Sequence, residues 1–127
     1  MFEILTAPGG SSFPLLIHCT QGKDRTGLTI LIILLCLQSS PSVLSDLAID
    51  HDYQLSRAGL LPIRDKMVVE VTGDAGLPAY FADIHPNFVE EMVKFIEQNW
   101  GGIPGYLTSI GLDADAIIGE LRERLLV

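Results

Sequence analysis

The longest apolar run of the chain, residues 28–37, follows a short polar segment, and a shorter apolar stretch precedes that segment. The shorter stretch, residues 14–18 (PLLIH), has the length and composition of a fully buried β-strand. Residues 26–38 are apolar on all sides in their middle, which is typical of a helix that is buried all round. The pattern predicts a strand, a tight polar loop and a helix in direct succession.

Helix signals dominate the rest of the chain. Ser40 and Pro41 form a start signal, as N-cap and first helical residue, and Asp113 is a second predicted N-cap. The helices predicted after residue 38 cover 40–57, 85–99, 104–110 and the segment after 113, while residues 1–5 resemble the end of a helix and 63–71 are compatible with helix or strand. The expectation is one strand and about five helices.

A single strand cannot form a sheet, so the neighbours of residues 14–18 are expected to lie outside this sequence. The length of 127 residues indicates one domain. We therefore expect an α/β fold in which residues 1–127 form a single, partial domain. Residues 14–27 would provide the strand and the polar loop, and residues 28–127 a helical half.

Composition and charge narrow the function classes. The chain is 48% hydrophobic, which is enough for a sizeable core. Eight basic and sixteen acidic residues give a formal net charge of −8, which argues against a nucleic-acid or anionic-membrane binder, because these need a basic surface. A small anionic substrate remains compatible, since local donors hold it.

The two cysteines, Cys19 and Cys36, are predicted to be reduced thiols. The N-terminus shows no signal-peptide pattern, and residues 28–37 are about half the roughly 20 residues that span a bilayer. We expect a cytoplasmic protein, with a truncated N-terminus and no stable membrane insertion. A partial fold also predicts exposed apolar surface and self-association.

The polar segment between the apolar stretches reads HCTQGKDRTG, residues 18–27. Five residues separate Cys19 from Arg25, and the segment is predicted to lie at a helix N-terminus, where free N–H groups and the helix dipole favour an anion. Gly22 permits the backbone to curl, and Arg25 can bind two phosphate oxygens at once. We predict a phosphate-binding loop.

The same surroundings are expected to activate Cys19. A thiol at a helix N-terminus, near Lys23 and Arg25, should have a lowered pKa and act as a nucleophile. The predicted reaction is attack on a phosphomonoester through a phosphocysteine intermediate, with no metal and no cofactor. A Walker ATP-binding loop does not fit, because Gly22 and Lys23 are followed by Asp24.

HCTQGKDRTG resembles the signature loop of cysteine-dependent protein tyrosine phosphatases, in the HCxxGKDRTG branch of bacterial and fungal enzymes. Residues 45–57 and 101–126 also resemble the helical C-terminal half of that domain. The resemblance implies a partial tyrosine-phosphatase-like fold. It implies the following roles: Cys19 as nucleophile, Arg25 as phosphate clamp, Asp24 as general acid, the backbone from Thr20 through Gln21, Gly22 and Lys23 to Arg25 as phosphate ligand, Thr26 as hydroxyl donor to the thiolate and His18 as an orienting residue.

The resemblance allows phosphotyrosine, phosphoserine, phosphothreonine or phosphoinositide substrates, with Lys23 as a contact to the anion. Many such enzymes carry the acid well upstream, and here the sole acidic residue before Cys19 is Glu3. Either Asp24 acts alone, or the chain is a fragment. The alternative hypothesis is a catalytically incomplete fragment or a phosphate-binding remnant of such a phosphatase. A rhodanese-like sulfurtransferase would have a related loop, but residues 23–27 (KDRTG) favour phosphate esters.

Overall fold

The structure is a computed structural model that describes residues 2–6, 14–38 and 44–126. These residues contain seven α-helices and two short 3-10 turns, Leu61–Ile63 before α4 and Ala79–Ala82 after it. The helices are α1 (Phe2–Leu5), α2 (Arg25–Leu37), α3 (Asp46–Leu60), α4 (Arg64–Gly73), α5 (Phe88–Trp100), α6 (Ile103–Ser109) and α7 (Ala114–Leu125).

The predicted strand over residues 14–18 is not formed. The segment has no regular secondary structure, and the described parts of the chain contain no strand with which it could pair. Leu15 is exposed and Leu16 is 87% exposed, so the described residues do not cover this segment. A strand exists only by pairing with a neighbour, and the α/β fold class therefore stays a prediction.

Helix α2 lies at the centre of the core and begins one residue before the predicted start. Six of its residues are buried, and the side chain of Cys36 has no solvent exposure. The helix packs against α3, α6 and α7. Its apolar composition therefore buries it in the way the sequence predicted.

Two of the predicted helix starts can be compared with the structure. Helix α3 begins at Asp46, where the hydroxyl of Ser45 accepts a hydrogen bond from the backbone N–H of Ala48 at 3.2 Å. The predicted start at residues 40 and 41 lies outside the described residues. Asp113 caps α7 as predicted, since its carboxylate accepts from the N–H of Ala116 at 3.0 Å.

The junction between α5 and α6 depends on two glycines. Gly101 ends α5 with a left-handed backbone, φ 69°, a conformation that favours glycine. A Cβ atom at Gly105 would lie 1.7 Å from the carbonyl oxygen of Trp100. Only glycine fits there, so the two helices approach more closely than a side chain would allow.

The segment from α4 to the second 3-10 turn forms a compact arm beside the core. It resolves the ambiguity over residues 63–71 in favour of a helix. Arg64 at the start of α4 donates two hydrogen bonds to the carboxylate of Asp83, at 2.6 and 2.9 Å. This bidentate pair fixes the turn that contains Phe81 against α4.

Several apolar side chains of the described residues are exposed; examples are Leu16, Leu47, Leu61, Val69 and Tyr80. Self-association through them stays a prediction. None of the helices in the described ranges is long and apolar enough to cross a membrane.

Candidate active site

The polar loop curls directly into the N-terminus of α2. Gly22 has a φ of +77°, a conformation that favours glycine. Its backbone N–H donates to the sulfur of Cys19 at 3.2 Å, and α2 begins three residues later at Arg25. The predicted arrangement, a thiol inside a loop of N–H donors at a helix N-terminus, is present.

The surroundings of Cys19 lower the pKa of its thiol to about 6. The largest cause is the hydroxyl of Thr26, followed by opposing partial burial and then by the backbone N–H groups of Thr26, Gly22 and Gln21. Oγ1 of Thr26 is buried and has no hydrogen-bond partner of ordinary geometry in the described residues. Its contact to the neutral thiol is therefore long or poorly aligned, and ionisation of the sulfur would strengthen it.

The predicted source of this activation was partly wrong. The sequence pointed to the helix N-terminus and to the charges of Lys23 and Arg25; backbone N–H groups of the loop and of the first turn of α2 are among the causes of the pKa shift of Cys19, and the two charges are not. Hydrogen-bond donors close to the sulfur lower the pKa of Cys19 instead. The ammonium of Lys23 is engaged behind the loop, and the guanidinium of Arg25 crosses the loop to donate to the hydroxyl of Thr20 at 3.2 Å.

Asp24 and Lys23 form a close pair with contrasting exposure. The amine of Lys23 donates to both carboxylate oxygens of Asp24, at 2.8 and 2.9 Å. The side chain of Asp24 is 66% exposed, whereas that of Lys23 is 3% exposed. Asp24 is the residue before α2, but its side chain makes no cap hydrogen bond. Its carboxylate is therefore held by Lys23 rather than by the helix, and most of its surface faces solvent.

The loop forms one side of an open groove of about 560 Å³. The other side is the C-terminal part of α4 and the chain that follows it. The groove is lined by Cys19, Thr20, Gln21, Asp24 and Arg25 on the loop side and by Glu70, Val71, Asp74, Ala75 and Leu77 on the other. The structure thus brings the predicted catalytic residues together at one groove.

The far wall of the groove was missed by the sequence prediction. Gln21 donates to the carboxylate of Glu70 at 3.3 Å, which joins the loop to α4 across 49 residues of chain. Glu70 and Asp74 add negative charge to the groove. No local signal in the sequence relates these residues to the loop, since the contact is made only by folding.

The start of α2 rests on an aromatic pair. The ring of Tyr53 on α3 stacks on Phe88 with centroids 4.5 Å apart. A Cβ atom at Gly27 would lie 3.1 Å from the Tyr53 ring, so the helix and the ring are in close contact. Burial, and next the charge of Asp24, raises the pKa of Tyr53 to about 12. The hydroxyl therefore stays protonated, and the ring acts as a support for the loop.

His18 is exposed, and its orienting role stays a prediction. Among the residues that the structure describes, no group of three His, Cys, Asp or Glu side chains is placed to hold a metal ion.

Comparison with known proteins identifies the family. A model of the tyrosine phosphatase family matches residues 1–127. The chain belongs to that family. It is also similar to a candidate tyrosine-protein phosphatase of Cupriavidus necator, with 29% identity over 120 residues. The match covers 92% of this chain and 40% of the relative. No solved structure matches.

The family assignment confirms the coarser part of the resemblance. Membership supports a phosphatase, whereas the HCxxGKDRTG branch stays a prediction. The chain spans about 40% of the length of the curated relative that it matches. The activity and the substrates are therefore argued as proposals.

Proposed function

We propose that the protein is a phosphomonoester hydrolase that acts on phosphotyrosine through a phosphocysteine intermediate. The observation that carries the proposal is the thiol of Cys19, whose pKa of about 6 leaves it ionised at neutral pH inside a loop of N–H donors. Family membership supports the same chemistry.

The proposed first step is an in-line displacement at phosphorus. The thiolate of Cys19 attacks the phosphoryl group, the S–P bond forms and the P–O bond to the leaving group breaks. Asp24, protonated on the one oxygen that no longer accepts from the ammonium of Lys23, donates its proton to the leaving oxygen. Arg25 exchanges its hydrogen bond to Thr20 for two phosphate oxygens, and loop N–H groups bind the remaining charge.

The second step releases phosphate. Water attacks the phosphocysteine while the carboxylate of Asp24 accepts its proton, and the S–P bond breaks. The hydroxyl of Thr26 stabilises Cys19 as it leaves as a thiolate, in line with its effect on the pKa of that thiol. The cycle returns both groups to their starting protonation states.

The groove favours a phosphorylated protein over a phosphoinositide. Val71, Ala75 and Leu77 offer apolar surface to an aromatic ring, and Glu70 and Asp74 place negative charge near the loop. A substrate with several phosphates would be repelled by these carboxylates. The open groove also leaves room for phosphoserine or phosphothreonine as slower, dual-specificity substrates.

The alternative is a catalytically incomplete fragment that still binds phosphate. Two observations favour it: the described residues contain no strand, and the chain matches 40% of the relative. In that case the loop would hold the anion, but the remainder of the groove would be absent.

Hydrolysis of p-nitrophenyl phosphate by the wild type and by Cys19→Ser tests the proposal. We expect a loss of at least about 10³-fold, because the nucleophile is removed. Cys36→Ser, which changes a thiol outside the groove, is the matched control and should retain activity. Equal rates in wild type and Cys19→Ser would refute catalysis; no activity together with tungstate binding would favour the alternative.

Asp24→Asn tests the general acid. We expect kcat to fall by about 10²-fold for phenyl phosphate, whose leaving group is poor, and by far less for 2,4-dinitrophenyl phosphate. An equal fall for both substrates would exclude proton donation by Asp24.

A further inference from the structure

Among the residues that the structure describes, Lys23 is the charged residue that is buried, with 3% of its surface exposed. Burying an ammonium is unfavourable unless its donors are satisfied. An ammonium has three N–H groups, and Nζ of Lys23 makes three contacts: two to the carboxylate oxygens of Asp24 at 2.8 and 2.9 Å, and one to the carbonyl oxygen of Phe81 at 2.7 Å. The donors of this side chain are fully used.

These contacts leave Lys23 in a poor position to bind substrate. The groove is lined by its neighbours Asp24 and Arg25, whereas Lys23 is buried behind the loop. To reach a phosphate, the amine would have to give up contacts to a carboxylate and a carbonyl that keep its charge stable in the interior.

The contact to Phe81 reaches the arm that carries the far wall of the groove. Phe81 belongs to the 3-10 turn Ala79–Ala82, and Asp83, which follows the turn, is bound by Arg64 at the start of α4. The pKa of Asp83 is lowered chiefly by its hydrogen bond to Arg64 and, as a smaller cause, by the charge of Lys23. Lys23 therefore lies between the loop and the arm.

We propose that Lys23 is a positioning residue that orients the carboxylate of Asp24 toward the leaving group and anchors the α4 arm to the phosphate-binding loop. The proposal rests on the proposed function, in which Asp24 is the acid. It replaces the expectation that Lys23 contacts the substrate. The exposed carboxylate of Asp24 has its two oxygens held from one side by a fixed ammonium, so that its position is defined before substrate binds.

The two roles predict different kinetics for Lys23→Met. A positioning residue leaves the affinity for inorganic tungstate within about twofold and lowers kcat for phenyl phosphate by about tenfold, with little change for 2,4-dinitrophenyl phosphate. A substrate contact would weaken tungstate binding by about tenfold and lower kcat/KM for both substrates. That second result would overturn the proposal.

A double-mutant cycle with Asp24→Asn sharpens the test. If Lys23 acts through Asp24, Lys23→Met should have no further effect on kcat for phenyl phosphate in the Asp24→Asn background. Additive losses would contradict the proposal. Lys94→Met is the matched control, because Lys94 is an exposed lysine on α5 at 63% side-chain exposure and should change neither kcat nor tungstate affinity. Lys66, at 79% side-chain exposure, is unsuitable as a kinetic control because its ammonium lies 3.9 Å from the carboxylate of Glu70 in the groove wall.

A measurement without turnover decides the matter if the chain is inactive or Lys23→Met does not fold. In ¹⁵N spectra of the lysine ammonium groups, the Nζ protons of Lys23 should exchange with water far more slowly than those of Lys66, and Asp24→Asn should accelerate that exchange. Exchange as fast as that of Lys66 would overturn the proposal. Because this exchange measurement needs no catalysis, its result is independent of the Cys19→Ser test.

Discussion

Cys19 lies in the loop before α2, and Cys36 lies near the end of that helix, within the apolar run of residues 28–37. The pKa of the Cys19 thiol is lowered to about 6 by the Thr26 hydroxyl and backbone N–H groups. Burial raises the pKa of the Cys36 thiol to about 11. One short segment thus holds a thiolate and an inert thiol.

The difference shows that the surroundings, rather than the residue type, decide the reactivity of a thiol. The two regions also depend on each other. The burial of α2 around Cys36 fixes the helix, and the fixed N-terminus keeps the donors near Cys19 in place. Substitutions near Cys36 are expected to change the stability of the protein, and substitutions near Cys19 are expected to change the reactivity of its thiol.

The largest expected effect is the difference in alkylation rate between the two thiols. At pH 7 most Cys19 is ionised and only about one Cys36 in 10⁴ is, and Cys36 is inaccessible as well. We expect iodoacetamide to modify Cys19 at least about 10³-fold faster, as measured by mass spectrometry of the two peptides. The unfolded chain, where the rates should converge, is the control; similar rates in the native protein would refute the comparison.

Cys36→Ser should act on stability alone. A hydroxyl in the apolar interior is less favourable than a thiol, so we expect the free energy of unfolding to fall by about 1–2 kcal/mol. Denaturant unfolding measures this change. The apparent pKa for alkylation of Cys19 should stay near 6, and a shift of that value would show that the interior around Cys36 affects the reactivity of Cys19 as well as the stability of the protein.

Thr26→Val should act on reactivity alone. Without the hydroxyl, the ionised sulfur loses its largest source of stabilisation, and we expect its pKa to rise by about one unit. Below pH 6 the thiolate fraction would then fall about tenfold. The pH profile of alkylation measures it, and Thr26→Ser, which keeps the hydroxyl, should retain the wild-type profile.

The smallest expected effect is on stability, and it has opposite signs at two glycines. Gly22→Ala should destabilise the protein by about 1 kcal/mol, because its φ of +77° is strained for alanine. Gly59→Ala, inside α3 with open space around it, should stabilise by about 0.5–1 kcal/mol. Thermal unfolding compares them; a stabilising Gly22→Ala would contradict the importance of the curled loop.

The helices could be predicted where local signals sufficed. Residues 26–38 were predicted from apolar composition, and Asp113 from its capping position. The cap of α3 by Ser45 was not predicted, because a serine caps a helix only where the backbone places its hydroxyl near a free N–H group. The strand predicted over residues 14–18 is not formed among the described residues, because an apolar run does not specify the neighbouring strand with which it pairs.

The sequence predicted which residues of the loop would form the candidate site, but it did not predict all of the contacts that these residues make. Cys19 and Arg25 were identified from spacing, and the lowered pKa of Cys19 was expected. The burial of Lys23 could not be foreseen, since its partner Phe81 is 58 residues away. The wall of the groove depends in the same way on long-range contacts of α4.

The hydrogen bond between Arg25 and Thr20 has a consequence for the entropy cost of binding a ligand in the loop. The guanidinium already donates to the hydroxyl of Thr20, so binding of an oxyanion requires an exchange of acceptors rather than the ordering of a disordered side chain. Part of the conformational entropy that a flexible arginine would lose on binding has been lost during folding. We therefore expect the loop to bind an anion at a lower entropy cost than a loop with an unattached arginine.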